Sequence, residues 1–225
     1  MSSPAPKASL APRALYQEVA ERLRAQIFNR DLEPGSWIDE LKICQELGIS
    51  RTPLREALKV LAAEGLVTMK VRRGAYVTEM SEQDVREAYQ LLALLESDAA
   101  ARVCELASES QMQELQDLHQ DLVAQTAKHE AFFASNERFH LRILEIEGNR
   151  WRQQIVTDLR RVMKLNRHHS LFKQGRIQDS LAEHEALIAA LTRRDAQAAS
   201  ELMRNHFQNG LNASIPAQAQ SRLGS

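Results

Sequence analysis

The chain has 225 residues, enough for one large domain or two small ones. Hydrophobic residues make up 44% and charged residues 26%, which is ordinary for a soluble globular protein. No apolar run approaches the about 20 residues of a transmembrane helix, and residues 1–13 lack the apolar core of a signal peptide, so we expect a cytoplasmic protein with no membrane contact. The net charge of −1 excludes attraction of the whole protein to nucleic acid, so any DNA affinity must come from a local cluster of cations.

Hydrophobic periodicity predicts three amphipathic helices and a β-hairpin in the first part of the chain. Their predicted ranges are 14–30, 39–47, 51–64 and 66–77. Pro34-Gly35 separates the first two helices as a turn, Gly48 ends the second, and Ser50 is expected to cap the third. A basic turn from Lys70 to Gly74 joins the two strands of the hairpin. Three helices followed by a hairpin are typical of a winged helix-turn-helix, which we place at residues 14–78 with a disordered tail at 1–13.

The pattern after Ser81 is helical to the end of the chain, with no strand signal. It predicts a C-terminal bundle of about six helices, at 82–106, 110–128, 130–147, 149–170, 176–193 and 195–213. The predicted fold is therefore mainly α, with a second domain at 82–213 that binds an effector and forms the dimer. Residues 214–225 are expected to be disordered.

The third helix has the two faces that a DNA-recognition helix requires. One face is apolar, while Arg51, Arg55 and Lys59 lie four residues apart on another. The N-terminal part of such a helix approaches base edges most closely, and arginine pairs bidentately with guanine, so Arg51 and Arg55 are the expected base-reading residues. A solvated helix face with no partner is the alternative interpretation of these cations.

The hydroxyl groups and cations around that helix are candidates for contacts with the DNA backbone. Ser50 and Thr52 at the helix start are expected to bond phosphates. Arg72 and Arg73, next to Gly74, form the predicted tip of the wing, where they would reach phosphate or the minor groove. The candidate DNA-binding residues are thus Lys42, Ser50, Arg51, Thr52, Arg55, Arg72, Arg73 and Gly74.

Polar residues occupy apolar faces of three helices in the second domain. Each of these helices has a stripe that is expected to face the core. The stripes contain His140, His184 and His206, and Asn136 lies one turn before His140. A single buried histidine is usually a core residue bonded to a carbonyl group. Three in separate helices suggest instead convergence on one divalent cation such as zinc or nickel, because imidazole is a good ligand for such ions.

The sequence of the first domain also resembles a known family. The runs SRTPLREALKVLAAEGLV (50–67) and RRGAYV (72–77) are similar to the DNA-binding domain of GntR-type bacterial regulators, and the resemblance covers residues 14–78. It implies a winged helix-turn-helix that binds double-stranded DNA. The family often has an arginine where Leu41 stands here; Lys42 is adjacent and is expected to substitute for it.

Residues 82–213 resemble the FCD-type ligand-binding domain of the FadR branch of that family. The motifs are Asn136-Glu-Arg-Phe-His140, Glu183-His184 and, in the final helix, His206. The resemblance implies that Asp and three His bind a metal, and that a small carboxylate completes its coordination. Asn136 stands here in place of Asp, so we expect weaker metal binding and a different choice of ion. Leu92 replaces an Arg that can face an anionic ligand, which favours a metal-anchored or less acidic effector.

These observations predict a homodimeric repressor, not an enzyme, that binds a palindromic operator under control of a small metabolite, possibly an organic acid. Two alternatives remain for the histidine cluster. It could be the centre of a metal hydrolase or isomerase, although the chain has no HExxH motif. It could also stabilise the fold without sensing anything.

Overall fold

The computed structural model of the protein describes residues 15–171 and 173–215. The predicted N-terminal tail, 1–13, and residues 216–225 of the predicted C-terminal tail lie outside the described residues. The chain divides after Glu79 into two compact units.

The first unit contains three helices and a hairpin. They are α1 (Leu15–Phe28), α2 (Glu40–Leu47), α3 (Arg51–Ala63), β1 (Val67–Lys70) and β2 (Gly74–Val77). Asp39 caps α2 by accepting bonds from two backbone N–H groups, and Gly48 ends it in the left-handed conformation. The predicted apolar stripe of α1 is buried except at its start, because Leu15 is half exposed.

The hairpin is antiparallel, and its register runs from Val67 opposite Val77 to Lys70 opposite Gly74. The turn therefore consists of residues 71–73, and Arg72 within it adopts a left-handed φ of 58°. Trp37, which precedes α2, forms an isolated bridge with Tyr76 and extends the sheet by one short segment. The predicted wing is confirmed.

The second unit is helical throughout its described residues. Its helices are α4 (Glu82–Leu106), α5 (Glu109–Ala124), α6 (His129–Glu147), α7 (Arg150–Val162), α8 (Lys164–Leu171), α9 (Arg176–Thr192) and α10 (Ala196–Ser214). Ser81 and Asp84 form a capping box at the start of α4. The buried core combines residues of α4, α6, α9 and α10, among them Leu92, Phe139, Leu191 and Met203.

The described part of this unit has seven helices instead of the predicted six, because the segment 149–170 is divided at Met163. The sequence contains neither Gly nor Pro at this point. Residues seven apart in a continuous helix are separated by about 10.5 Å along its axis. Arg160 and Arg167, on the two sides of the break, nevertheless contact the same oxygen of Glu137. The break thus accompanies a tertiary ion-pair arrangement that local sequence does not signal. None of the described helices is both long and apolar enough to cross a bilayer.

Candidate nucleic-acid interface and candidate metal centre

Helix α3 has the two faces that the sequence predicted. Leu54, Ala57, Leu58 and Leu61 are fully buried against the rest of the unit. Arg51, Thr52 and Arg55 are exposed on the other side, near the helix start. Burial of four apolar side chains fixes the orientation of α3, so its cationic face is presented to solvent.

The exposed cations of this unit differ in their partners. The Arg55 Nε atom donates to Glu40 Oε2 at 3.1 Å, and Lys42 Nζ lies 3.8 Å from Glu46 Oε1. Arg51, Arg72 and Arg73 form no ion pair with any residue that the structure describes. These three guanidinium groups therefore remain available to phosphate or base acceptors.

Ser50 occupies the N-cap position of α3, but its hydroxyl makes no capping hydrogen bond, which corrects the expectation that it would cap the helix. Ser50 and Thr52 are both exposed. The N–H groups of the first turn and the two hydroxyls are left for an external acceptor, as phosphate contacts at a helix N-terminus require. Leu41, where an arginine was expected, is 55% exposed and offers no polar contact.

Gly74 has a structural reason to be glycine. Its φ is +91°, and a Cβ atom there would lie 3.2 Å from Nε1 of Trp37. Its lack of a side chain is therefore explained by Trp37, and its contact with DNA stays a prediction. Sequence reasoning did not single out Val71, which is 88% exposed in the same turn.

The second unit brings together three of the four predicted metal ligands. His140 on α6, His184 on α9 and His206 on α10 each have a ring nitrogen within 4.8 Å of the others. The ring centroids are 5.1 Å apart for His140–His184 and for His140–His206, and 4.8 Å apart for His184–His206. Asn136 is buried one turn before His140 on the same helix.

The atoms that would face an ion have no other partner. Nε2 of His140, both ring nitrogens of His184 and Oδ1 of Asn136 are buried without a hydrogen bond. Burial lowers the pKa of His140 and His184 well below the usual value, and the nearby guanidinium of Arg160 lowers both further. Burial also lowers the pKa of His206, although Glu183 opposes this shift. The neutral imidazoles can donate lone pairs to a cation at neutral pH.

Two of the three histidines are held by carboxylates through their other nitrogen. His140 Nδ1 lies 2.7 Å from Glu96 Oε2, and His206 Nδ1 lies 2.6 Å from Glu183 Oε2. Burial raises the pKa of Glu183, but hydrogen bonds from His206 and Arg176 outweigh it and bring the pKa to about 2. A carboxylate behind a metal-binding histidine would fix its tautomer and ring orientation, and Glu96 and Glu183 lie where such a carboxylate would be needed.

The residues present fit a divalent cation. Two nitrogens bound tetrahedrally to one zinc ion at about 2.1 Å stand about 3.4 Å apart. The ring nitrogens of the three histidines lie up to 4.8 Å apart, so binding one ion needs only a small inward movement of these side chains. An orphaned amide oxygen, three neutral imidazoles and two supporting carboxylates form a donor set suited to zinc or nickel. A bound ion would supply positive charge and open coordination positions for an acidic ligand.

Two further histidines of the second unit lie on α8. His168 is 1% exposed, and its Nε2 lies 2.7 Å from Glu130 Oε1. His169 is half-buried beside His168.

A buried ion network lies directly behind His140. Arg160 donates to Glu96 through Nε at 2.7 Å and through Nη2 at 2.6 Å. Arg160 and Arg167 both contact Glu137. Burial alone would raise the pKa of Glu137, but the positive charges and hydrogen bonds of the two arginines outweigh it and lower the pKa. The sequence did not indicate these residues as part of a site, because charged residues on helices are expected at the surface.

A small cavity opens beside the histidines. It has a volume of about 30 Å³, and its lining includes Asn136, His206, Arg167, Arg176 and Tyr89. Leu92, which replaces the expected arginine, lies fully buried in the core. Arg167 and Arg176 supply guanidinium groups from other helices, and Arg176 Nε is buried without a partner. Guanidinium groups are thus present near the cavity although Leu92 replaces the expected arginine, and the acidity of the effector stays a prediction.

Two known families match the chain, one in each of its two units. The family described as bacterial regulatory proteins, gntR family, matches residues 15–77, and the FCD domain matches residues 87–209. The HTH-type transcriptional repressor RspR of Escherichia coli is 28% identical over 194 residues, which are 85% of each chain. The HTH-type transcriptional regulator LutR of Bacillus subtilis is 26% identical over 204 residues, which are 81% of this chain and 93% of that protein.

Solved structures support the fold. Escherichia coli McbR/YncC superposes with a TM-score of 0.67 at 22% identity, covering 94% of this chain and 100% of that one. A putative GntR regulator from Rhodococcus sp. RHA1 gives a TM-score of 0.66 at 20% identity, covering 90% and 98%. At these identities the likeness concerns the fold alone.

Proposed function

The chain belongs to the GntR family of bacterial regulatory proteins and carries an FCD domain, and we propose that it is a repressor released from its operator by a small carboxylate at a metal centre. Family membership confirms that it is a DNA-binding transcriptional regulator and not an enzyme. The observation that carries the finer proposal is the cluster of three neutral histidines beside a cavity lined by two arginines.

We propose that α3 docks in the major groove with Arg51 and Arg55 toward the bases. The support is the exposed cationic face opposite four buried apolar residues. The unpaired Arg72 and Arg73 of the wing would contact phosphate, and so would the hydroxyls of Ser50 and Thr52. Lys42 is a weaker phosphate contact because Glu46 lies close to it.

The DNA-docking proposal is tested by operator binding at fixed salt. An operator is first selected from a randomised oligonucleotide library by the wild-type protein. Arg51→Ala and Arg55→Ala should each weaken binding to it by about 10- to 100-fold, since a good bidentate contact contributes about 1–3 kcal/mol. Arg22→Ala removes the same charge from the exposed side of α1 and serves as the control. Equal, small effects of all three substitutions would contradict the docking of α3.

We propose that His140, His184, His206 and the amide oxygen of Asn136 bind the metal, and that the effector carboxylate reaches both the ion and the guanidinium groups. The cavity of about 30 Å³ holds only a few non-hydrogen atoms. An organic acid therefore requires the lining side chains to move, and a regulator can respond only to a ligand that prefers one conformation. Release from DNA would follow from that preference.

Metal analysis and thermal melts test this site. Protein purified without a histidine tag should contain close to one zinc or nickel ion per chain by mass spectrometry, and His184→Ala should remove it. Candidate two- to six-carbon acids should raise the melting temperature only of the metal-loaded protein, since a ligand that binds the native state stabilises it by mass action. A melt that responds to chelator but to no acid would indicate that the metal only stabilises the fold.

We further propose a homodimer whose two α3 helices match a palindromic operator. The support is an exposed apolar stripe on α7, in which Trp151 is 66% exposed, Ile155 48% and Val162 39%. Exposed apolar patches commonly mark interaction sites. Trp151→Glu with Ile155→Glu should convert the dimer to monomers in light scattering, whereas Val123→Glu, on an exposed position of α5, should not. A dimer that survives the double substitution would place the interface elsewhere.

A further inference from the structure

The two arginines at the start of α3 are held differently. The Arg55 Nε atom donates to Glu40 Oε2 at 3.1 Å, whereas Arg51 has no hydrogen-bonding or ionic side-chain partner among the described residues. The Arg55 side chain is 59% exposed and Glu40 only 21%. One arginine of the cationic face is therefore restrained by a carboxylate of another helix, and the other is free to rotate.

Glu40 is itself well fixed. It is the first residue of α2, and Asp39 immediately before it accepts hydrogen bonds from the N–H groups of Leu41 and Lys42. This capping holds the backbone of the first turn, so the Glu40 carboxylate projects from a rigid base. Only the Nε of Arg55 is used in the pair, so both terminal nitrogens keep their donors.

A carboxylate beside a DNA-binding face has a cost, because it repels phosphate. The N-cap residue Asp39 and the first residue Glu40 are both acidic, which weakens any phosphate contact at the start of α2. The contact with Glu40 also restricts the conformations of the Arg55 side chain. A free arginine side chain loses about 2 kcal/mol of rotamer entropy when it is fixed. A restrained arginine side chain loses less entropy on binding. It can bond only to acceptors that lie in the direction in which its guanidinium group is held.

We propose that Glu40 is a positioning residue for sequence recognition: it aligns the Arg55 guanidinium so that its terminal nitrogens read a base pair. Arg51, which is free, adapts to whatever acceptor it meets. This inference rests on the proposed docking of α3 in the major groove. Glu40 then raises discrimination between operator and other DNA while lowering affinity for DNA in general.

The test is Glu40→Gln, with Glu56→Gln as a matched control. Glu56 lies on α3 and pairs with an exposed cation, Lys59, at 2.8 Å, so both substitutions remove one negative charge from an ion pair in the same unit. Binding of each variant to the selected operator and to a scrambled duplex is measured by fluorescence anisotropy at several salt concentrations. Melting curves verify that the variants are folded.

We expect Glu40→Gln to lower the ratio of operator to scrambled affinity about fivefold, a size consistent with the loss of one exposed ion pair. Affinity for scrambled DNA should rise about twofold, because a repelling charge is gone. Glu56→Gln should leave the ratio unchanged. An unchanged or higher ratio in Glu40→Gln would overturn the positioning role.

A double variant separates this inference from the docking on which it rests. If Glu40 acts through Arg55, adding Glu40→Gln to Arg55→Ala should leave the ratio at the value of Arg55→Ala alone. A further drop would mean that Glu40 acts by another route and would overturn the proposal. If Arg55→Ala loses discrimination and Glu40→Gln does not, the docking stands and only the positioning role fails. If Arg55→Ala keeps full discrimination while Arg51→Ala loses it, Arg55 reads no base and the positioning role fails; if neither substitution lowers discrimination, the docking of α3 itself is wrong.

Discussion

Replacing Glu96 by Gln removes one negative charge from the centre of the second unit without changing its shape. Glu96 is fully buried, and Arg160 donates to it at 2.7 Å and 2.6 Å. His140 Nδ1 lies 2.7 Å from the same carboxylate. The substitution leaves the Arg160 guanidinium buried, with a neutral amide in place of its principal counter-charge.

The magnitude follows from the desolvation of that guanidinium. Removing one partner of a buried ion pair typically costs about 3–5 kcal/mol, because the remaining charge is left without compensation. Arg160 keeps a second carboxylate, Glu137, whose Oε1 lies 3.3 Å from its Nη1. We therefore expect the lower end, about 3 kcal/mol, or a fall of about 6–12 °C in the melting temperature of this unit.

Thermal and urea unfolding followed by far-UV circular dichroism, in the presence of chelator, measures this cost without a contribution from metal. Glu105→Gln is the matched control, since Glu105 is an exposed acid on the same helix. Replacing both Glu96 and Arg160 by Met should recover most of the loss, because no unpaired charge remains. If Glu96→Gln costs no more than Glu105→Gln, the network does not stabilise the core and our reasoning is wrong.

Three further substitutions have expected outcomes that differ in kind. Asn136→Asp should tighten zinc binding about tenfold, because it adds a negative charge to the ligand set, and a competition assay with a chromophoric chelator measures this effect. The same substitution should lower the melting temperature of the metal-free protein, because it buries a charge. Arg72→Gly should weaken binding to operator and scrambled DNA by similar factors while changing the free energy of unfolding by less than about 1 kcal/mol, because glycine adopts the left-handed φ of 58° freely. Gly210→Ala should destabilise the second unit by about 1–2 kcal/mol despite alanine's helix preference, because the new Cβ would lie 3.0 Å from the Tyr89 ring. Urea unfolding measures this loss, and adding Tyr89→Leu should relieve it.

The elements of the first unit could be predicted closely from the sequence, because their signals are local. The stripe from Leu54 to Leu61 gives the buried face of α3, and Gly48 marks the end of α2. Partners on other elements could not be predicted in this way. The pairing of Glu40 with Arg55 spans 15 residues and depends on the angle between two helices, which hydrophobic periodicity does not determine.

In the second unit, histidines on predicted core faces gave the candidate metal ligands, because a polar residue in an apolar stripe is visible in the sequence. The charged residues behind them were not visible as partners. Arg160 and Arg167 are common residue types on helices and are expected to be exposed, yet both are buried by contact with Glu137. Only the convergence of four helices explains this, and the break at Met163 belongs to the same tertiary arrangement.

Each unit contains a carboxylate that holds an arginine, and burial decides what each pair does. Glu96 and Arg160 have side chains that are 0% and 3% exposed, so their separation costs desolvation and should appear as lost stability. Glu40 and Arg55 are 21% and 59% exposed, and solvent screens their attraction, so their contribution to stability is small. Natural selection for stability alone has little to gain from the exposed pair, whose carboxylate also repels DNA. Its presence on the recognition face is therefore better explained by the orientation of Arg55 than by the stability of the fold.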